Sequence, residues 1–241
     1  MSISLSFMRF FTVVAMCLCL ASCGRTETYR YKLTLAVDTP KGVKRGASVV
    51  EVMFYEVSIP GRGTMQKLRG EALYLDLGSG TRPLIALLTS QLHPKSSKEW
   101  RWTRDAGPSD NLLTPLYGVA ISEGLIDYAS KISRMRGPHK ITPSDLPDLV
   151  TFADINDPKS VIEVDPSDLQ ATLGSKIAWY EITLEITDEP VTTGIKAKLP
   201  WLPAYFGKML DGDTVRFYGA RKTLSNTLST ADFQRPEDSK K

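Results

Sequence analysis

The sequence predicts an α+β fold, mostly antiparallel β-sheet with a few short helices. Three observations point there. Runs of β-branched and aromatic residues with period-two alternation recur along most of the chain. Clusters of Gly, Pro, Asn and Asp interrupt those runs at short intervals. Helix-type periodicity is confined to a few short windows. The composition, 42% apolar and 24% charged over 241 residues, is that of an ordinary globular protein.

In chain order, residues 29–37 alternate bulky apolar with polar side chains, so one face of this strand should be buried. Asp38-Thr39-Pro40-Lys41-Gly42 ends the run with turn chemistry. Residues 48–58 form a second β-branched and aromatic run, turned by Pro60-Gly61-Arg62-Gly63. Residues 71–77 and 84–89 suggest a further pair. Residues 149–153 and 161–164 flank an Asn156-Asp157-Pro158-Lys159 turn, and 177–187 is the longest alternating strand. A last strand is expected at 215–218, after Asp211-Gly212-Asp213.

Helical signals are fewer. Residues 122–135 hold the best candidate, with Gly137-Pro138 as its stop; Pro115, Gly118 and Gly124 weaken any earlier start. Thr142-Pro143-Ser144-Asp145 and Asp165-Pro166-Ser167-Asp168 each read as an N-cap, a proline at the first helical position and an acid in the first turn. Gly174 should stop the second of these.

At the N-terminus, Arg9 precedes an apolar run, and Leu20-Ala21-Ser22-Cys23 closes it with small residues before a cysteine. The run is too short to span a bilayer, which takes about 20 residues. This arrangement resembles the lipobox of bacterial lipoproteins. The resemblance implies a diacylglyceryl thioether on Cys23, cleavage before it and acylation of the new amine; Gly24, in place of Asp, implies the outer membrane. Stable anchoring takes at least two lipid signals, which multiple acyl chains on one cysteine supply. Met8-Arg9 would open a more usual signal than Met1. Cys17 and Cys19 would leave with the signal, so no disulfide and no cysteine metal site is expected. The expected organisation is a signal peptide at 1–22, a lipidated cysteine and tether at 23–28, one β-rich domain at 29–228 and a frayed tail at 229–241.

Several segments carry residue types that support chemistry, each with a plainer alternative. Leu73-Tyr74-Leu75-Asp76-Leu77-Gly78-Ser79-Gly80-Thr81 resembles the first motif of nucleotide-fold methyltransferases, but Arg82 stands where a third glycine belongs; the alternative is a β-hairpin turn. The Asp76 segment also departs from the Asp-Thr/Ser-Gly of aspartic proteases. His93 and His139 are the two histidines, each beside a proline; with a nearby acid, either would suit an envelope hydrolase. Asp145, Asp148, Asp154, Asp157, Glu163, Asp165 and Asp168 face only Lys159 in one window. That suggests Ca²⁺, or a series of caps and turns. Trp100 and Trp102, interleaved with cations, share one face at strand period, and Trp201 sits in a proline-broken loop. These three indoles suggest contacts with a partner or with a membrane interface; the alternative is core packing.

Residues 149–202, with Val150-Thr151-Phe152, Val164-Asp165-Pro166 and Leu199-Pro200-Trp201-Leu202, resemble a group of proteobacterial proteins of unknown activity, a similarity extending upstream to about residue 29. It implies one continuous domain. The net charge of +3 argues neither for nor against nucleic acid, and none is expected. No cofactor, metal site or catalytic residue is expected either. The reading is a lipid-anchored, non-enzymatic envelope lipoprotein that binds a protein or envelope component on the periplasmic side. The rival is the hydrolase using His93 or His139.

Overall fold

Alternation at residues 29–37 becomes a thirteen-residue central strand, β1 (Thr26–Asp38). Its Tyr29, Tyr31, Leu33 and Leu35 are buried, and Arg30, Lys32 and Thr34 fall on the opposite face. A bulge between Ala36 and Val37 lets both of those residues be buried as well. The computed structural model describes residues 24–57, 63–92, 102–103, 107–219 and 222–235.

After β1 come β2 (Lys44–Glu56), β3 (Thr64–Glu71), β4 (Leu73–Leu75), β5 (Leu84–Ala86), β6 (Trp102–Thr103) and β7 (Gly107–Pro108). Helices α1 (Asp110–Tyr117) and α2 (Leu125–Ile132) precede β8 (His139–Lys140), β9 (Leu149–Phe152) and β10 (Val161–Val164). Then follow α3 (Leu169–Leu173), β11 (Ala178–Ile186), α4 (Leu224–Thr227) and β12 (Gln234–Arg235). The strands form a six-stranded sheet, β12-β3-β2-β1-β11-β8, a four-stranded sheet, β10-β9-β5-β4, and the small pair β6-β7. Among the described residues every strand pairing is antiparallel. No helix among them is long and apolar enough to cross a membrane.

Two apolar clusters organise these layers. The first joins the inner face of the six-stranded sheet to Leu73, Leu75, Leu84 and Leu149 of the smaller sheet and to α1 and α2. Helix α2 presents Ile126, Ala129 and Ile132 at helical spacing. Full burial of an aliphatic side chain contributes roughly 1.5–3 kcal/mol. The second cluster covers the other face of the smaller sheet, where Ile85, Val150 and Phe152 meet Leu199, Trp201, Leu202, Leu228 and Phe233.

The structure changes five expectations. The tether assigned to 23–28 yields Thr26, Glu27 and Thr28 to β1, because they pair with Tyr55, Phe54 and Met53. The tail assigned to 229–241 is packed as far as Arg235: Phe233 is 0% exposed, and Gln234 pairs with Glu71. No strand forms at 215–218, where Val215 and Tyr218 are exposed. Helix α1 forms despite Pro115, which forfeits one backbone bond near the end of the helix, where Gly118 in the left-handed region donates to Thr114 O at 2.7 Å. Helix α3 starts later than expected: Asp165 makes a turn to the Ser167 N–H, and Asp168 is the cap, accepting from Ala171 N–H. Strand β3, which the sequence analysis did not anticipate, has few apolar residues and lies against β2.

Candidate functional site: a basic cleft on the outer sheet face

Arg30, Glu51 and Arg69 are direct cross-strand neighbours on β1, β2 and β3, on the sheet face turned away from the core. The Arg30 Nε donates to Glu51 Oε2 at 2.8 Å, and Arg69 Nε lies 3.2 Å from Glu51 Oε1, so each carboxylate oxygen faces one guanidinium. Glu51 is largely buried between them. The carbonyls of Asp188 and Glu189 accept from Arg30 Nη1 and further fix that guanidinium. A row of this kind specifies strand register as well as charge.

The row opens into a cleft because β3 leaves the sheet there. At Gly70 the backbone comes so close to β2 that an added Cβ would lie 3.1 Å from Val50 Cα, so only glycine fits. The chain then turns into β4 of the other sheet, exposing the β2 edge at Val49. Residues 190–196 fill that edge. Thr192 N–H donates to Val49 O at 3.0 Å, and Val49 N–H donates to Thr192 Oγ1 at 2.9 Å. Ile195 N–H donates to Glu71 Oε2 at 2.7 Å, tying the segment to the end of β3. On the far side, Arg235 of β12 pairs with Gly70. The result is a cleft of about 540 Å³, lined by Arg30, Arg69, Lys196 and Arg235 with Glu71, Thr192 and Thr193. Such a volume suits a small ligand or a ligand's headgroup.

Lys32, next on the same face, is engaged elsewhere: its Nζ lies 2.5 Å from Glu189 and 3.7 Å from Glu185. The hydrogen bond to Glu189 raises its pKa above the usual lysine value.

The residues singled out in the sequence lie elsewhere. Trp102 is 1% exposed, edge-on to Tyr31 at 5.6 Å, and its Nε1 donates to Asp145 O at 2.6 Å. Trp201 is 7% exposed, packs on Phe152 and Phe233, and donates to Ile155 O. Both are core residues with a satisfied indole N–H, so neither offers a contact surface. Trp100, His93 and Cys23 lie outside the described residues. His139 stacks edge-to-face on Tyr117 at 4.5 Å, and among the described residues no carboxylate or hydroxyl hydrogen-bonds its ring. Gly78 and Gly80 lie in the connection between β4 and β5, an antiparallel hairpin in which Asp76 accepts from Gly78 N–H. This geometry removes the methyltransferase reading, which requires a strand leading into a helix.

The acidic window divides into local roles. Asp145, Asp154, Asp157, Asp165 and Asp168 each accept from a backbone N–H two or three residues away, and Asp148 accepts from Gln91 and Leu92 N–H. Among the described residues no group of acids, histidines or cysteines could hold a metal ion. Sequence reading missed the cleft. Its one signal was the placement of Arg30 on the polar face of a long strand, which says nothing of Glu51, Arg69 or Arg235. Comparisons of the chain with protein-family models, with curated proteins and with solved structures found no match.

Proposed function

We propose that this chain is a lipid-anchored, non-enzymatic envelope protein, an α+β domain held by acyl chains on Cys23 at the periplasmic face of the outer membrane. In this reading it binds an anionic envelope component in the basic cleft. The observation that carries the proposal is the join between the lipobox and the fold. Only Gly24 and Arg25 separate Cys23 from β1. Arg25 is already fixed to the domain: its N–H donates to Glu56 Oε2, its carbonyl accepts from Glu56 N–H, and its guanidinium pairs with Asp127 at 2.6 Å. Two extended residues reach roughly 7 Å, so the lipid would hold the domain directly against the bilayer.

The hydrolase alternative draws no support from the surroundings of His139. The test of anchoring is palmitate labelling with membrane fractionation. Wild-type chain should carry label and sediment with membranes, and Cys23→Ser should lose the label and become soluble. A Cys23→Ser protein still held in the membrane fraction would refute the anchor.

A further inference from the structure

We propose that residues 24–28 form a releasable arm that sets how far the domain stands from the bilayer. The proposal rests on lipid attachment at Cys23 and adds a variable length to it. At the start of β1 the odd-numbered residues bond to β2. The Arg25 carbonyl accepts from Glu56 N–H at 3.0 Å, and Glu27 lies opposite Phe54 in the same ladder. Thr26 and Thr28 turn their backbone groups to the other edge of the strand. Pairing with β11 starts only at Tyr31, with Thr187 N–H donating to the Arg30 carbonyl beside it. Among the described residues no strand covers Thr26 and Thr28 on that edge. The arm is held on one side, whereas residues 31–37 are held on both.

Burial divides the strand at the same place. Gly24, Arg25 and Thr26 are exposed, Glu27 and Thr28 are half-buried, and Tyr29 is the first buried residue of β1. The inward positions of the arm carry Arg25 and Glu27, where Tyr29, Tyr31 and Leu33 follow. Releasing the arm therefore takes no apolar side chain out of the core, the mark of a segment that opens locally. One clamp closes it. Arg25 N–H donates to Glu56 Oε2 at 3.0 Å, and the guanidinium lies 2.6 Å from Asp127 on α2. The two side chains of that ion pair are 58% and 35% exposed, so water and salt compete with it. With the clamp closed, two extended residues join the lipid to the fold and reach roughly 7 Å; with the arm peeled back to Tyr29 the reach is roughly 20 Å. The domain has a near stance and a far one, and the Arg25 clamp decides between them.

The test is amide hydrogen exchange on the full lipidated chain in lipid nanodiscs. The amides of Glu27 and Glu56 should exchange roughly tenfold or more faster than those of Tyr31 and Leu33, which open only with the sheet. Arg25→Gln and Asp127→Asn should each quicken the two arm amides several-fold and leave Tyr31 and Leu33 unchanged, a local effect that general loss of structure would not produce. Energy transfer from a dye on Tyr180→Cys, an exposed site on β11, to labelled lipid should report a longer distance from domain to bilayer when Arg25→Gln is added. Arm amides as slow as that of Leu33 would overturn the proposal, as would exchange untouched by both clamp substitutions. Faster exchange at an unchanged distance would overturn the two stances. Exchange in Cys23→Ser reads the arm without its lipid, and membrane release of that variant reads the anchor, so the two proposals can fail independently.

Discussion

Two charged regions of this molecule handle their charge in opposite ways. Between Asp145 and Asp168 the carboxylates are close in sequence, and five of the seven cap or turn their own backbone. In the basic cleft the charges come from distant segments, and side chains face side chains. A cleft of similar size, about 550 Å³, opens beside the acidic window, with Asp148, Glu163 and Asp165 in its lining. There Asp165 accepts from Ser167 N–H two residues on and Asp148 from Leu92 N–H across the fold, so both carboxylates already hold backbone. Charge concentrated along a sequence serves the local fold here, whereas strand pairing gathers charge from distant segments onto one surface.

Alkaline pH should produce the largest effect, and it separates the two faces of one sheet. The outer face carries Arg30 and Arg69. Beneath them, burial pushes the Tyr29, Tyr31 and Tyr128 hydroxyls well above the ordinary value of 10.0. Above about pH 10 the unfolded chain releases these protons and the folded chain keeps them. Stability is therefore whole below the unfolded pKa and falls as pH rises, by up to about 1.4 kcal/mol per pH unit for each tyrosine. Thermal melts from pH 8 to 11 should decline steeply above pH 10; a flat profile would contradict the burial argument.

Glu51→Ala should cost about 3 kcal/mol in urea denaturation, because two half-buried guanidiniums would face each other without their carboxylate. The triple variant Arg30→Met, Glu51→Leu, Arg69→Met sharpens the contrast. It should approach wild-type stability, since well-packed apolar groups replace buried ion triads at little cost. A triple variant as unstable as Glu51→Ala would mean that the row serves the fold first. In the acidic window, Asp168→Ala should cost about 1 kcal/mol through loss of the α3 cap.

Smaller still is Tyr128→Phe. The Tyr128 hydroxyl is buried and has no hydrogen-bond partner among the described residues, so its removal should be neutral or stabilise by up to about 1 kcal/mol. Millimolar Ca²⁺ should leave the melting temperature unchanged; a rise of several degrees, abolished by Asp157→Asn, would return the acidic window to the list of ligand sites.

What the sequence disclosed follows the same division. Period-two alternation marked β1 and β11, and β-branched or apolar runs bounded by turn residues marked β2, β9 and β10, because each buries one or both faces strongly enough to constrain residue type. Strand β3 escaped notice because its outward residues are charged and only Leu68 and Gly70 are buried within it. The packed residues 229–235 escaped too: a fully buried Asp232, held by Ser229 and Thr89, reads in sequence as one more polar tail residue. Trp102 and Trp201 left contact and core packing both open because cations and prolines surround them in the chain; tertiary packing draws both indoles inward. The cleft was least legible, since Arg30, Glu51 and Arg69 become neighbours only through the register of three strands.

The position of β1 governs how the molecule is assembled. It is the first strand among the described residues, yet it lies inside the six-stranded sheet, with β2 on one edge and β11 on the other. Leu33 meets Ser48 within a short loop but meets Leu184 only after most of the chain has been made. Until β11 arrives, one long edge of β1 presents unpaired amides and carbonyls, a template for any other extended chain. Such distant pairing makes folding slow. A chain interrupted before residue 178 would keep that edge open, so quality control in the cell would meet a sticky hairpin in place of a finished sheet.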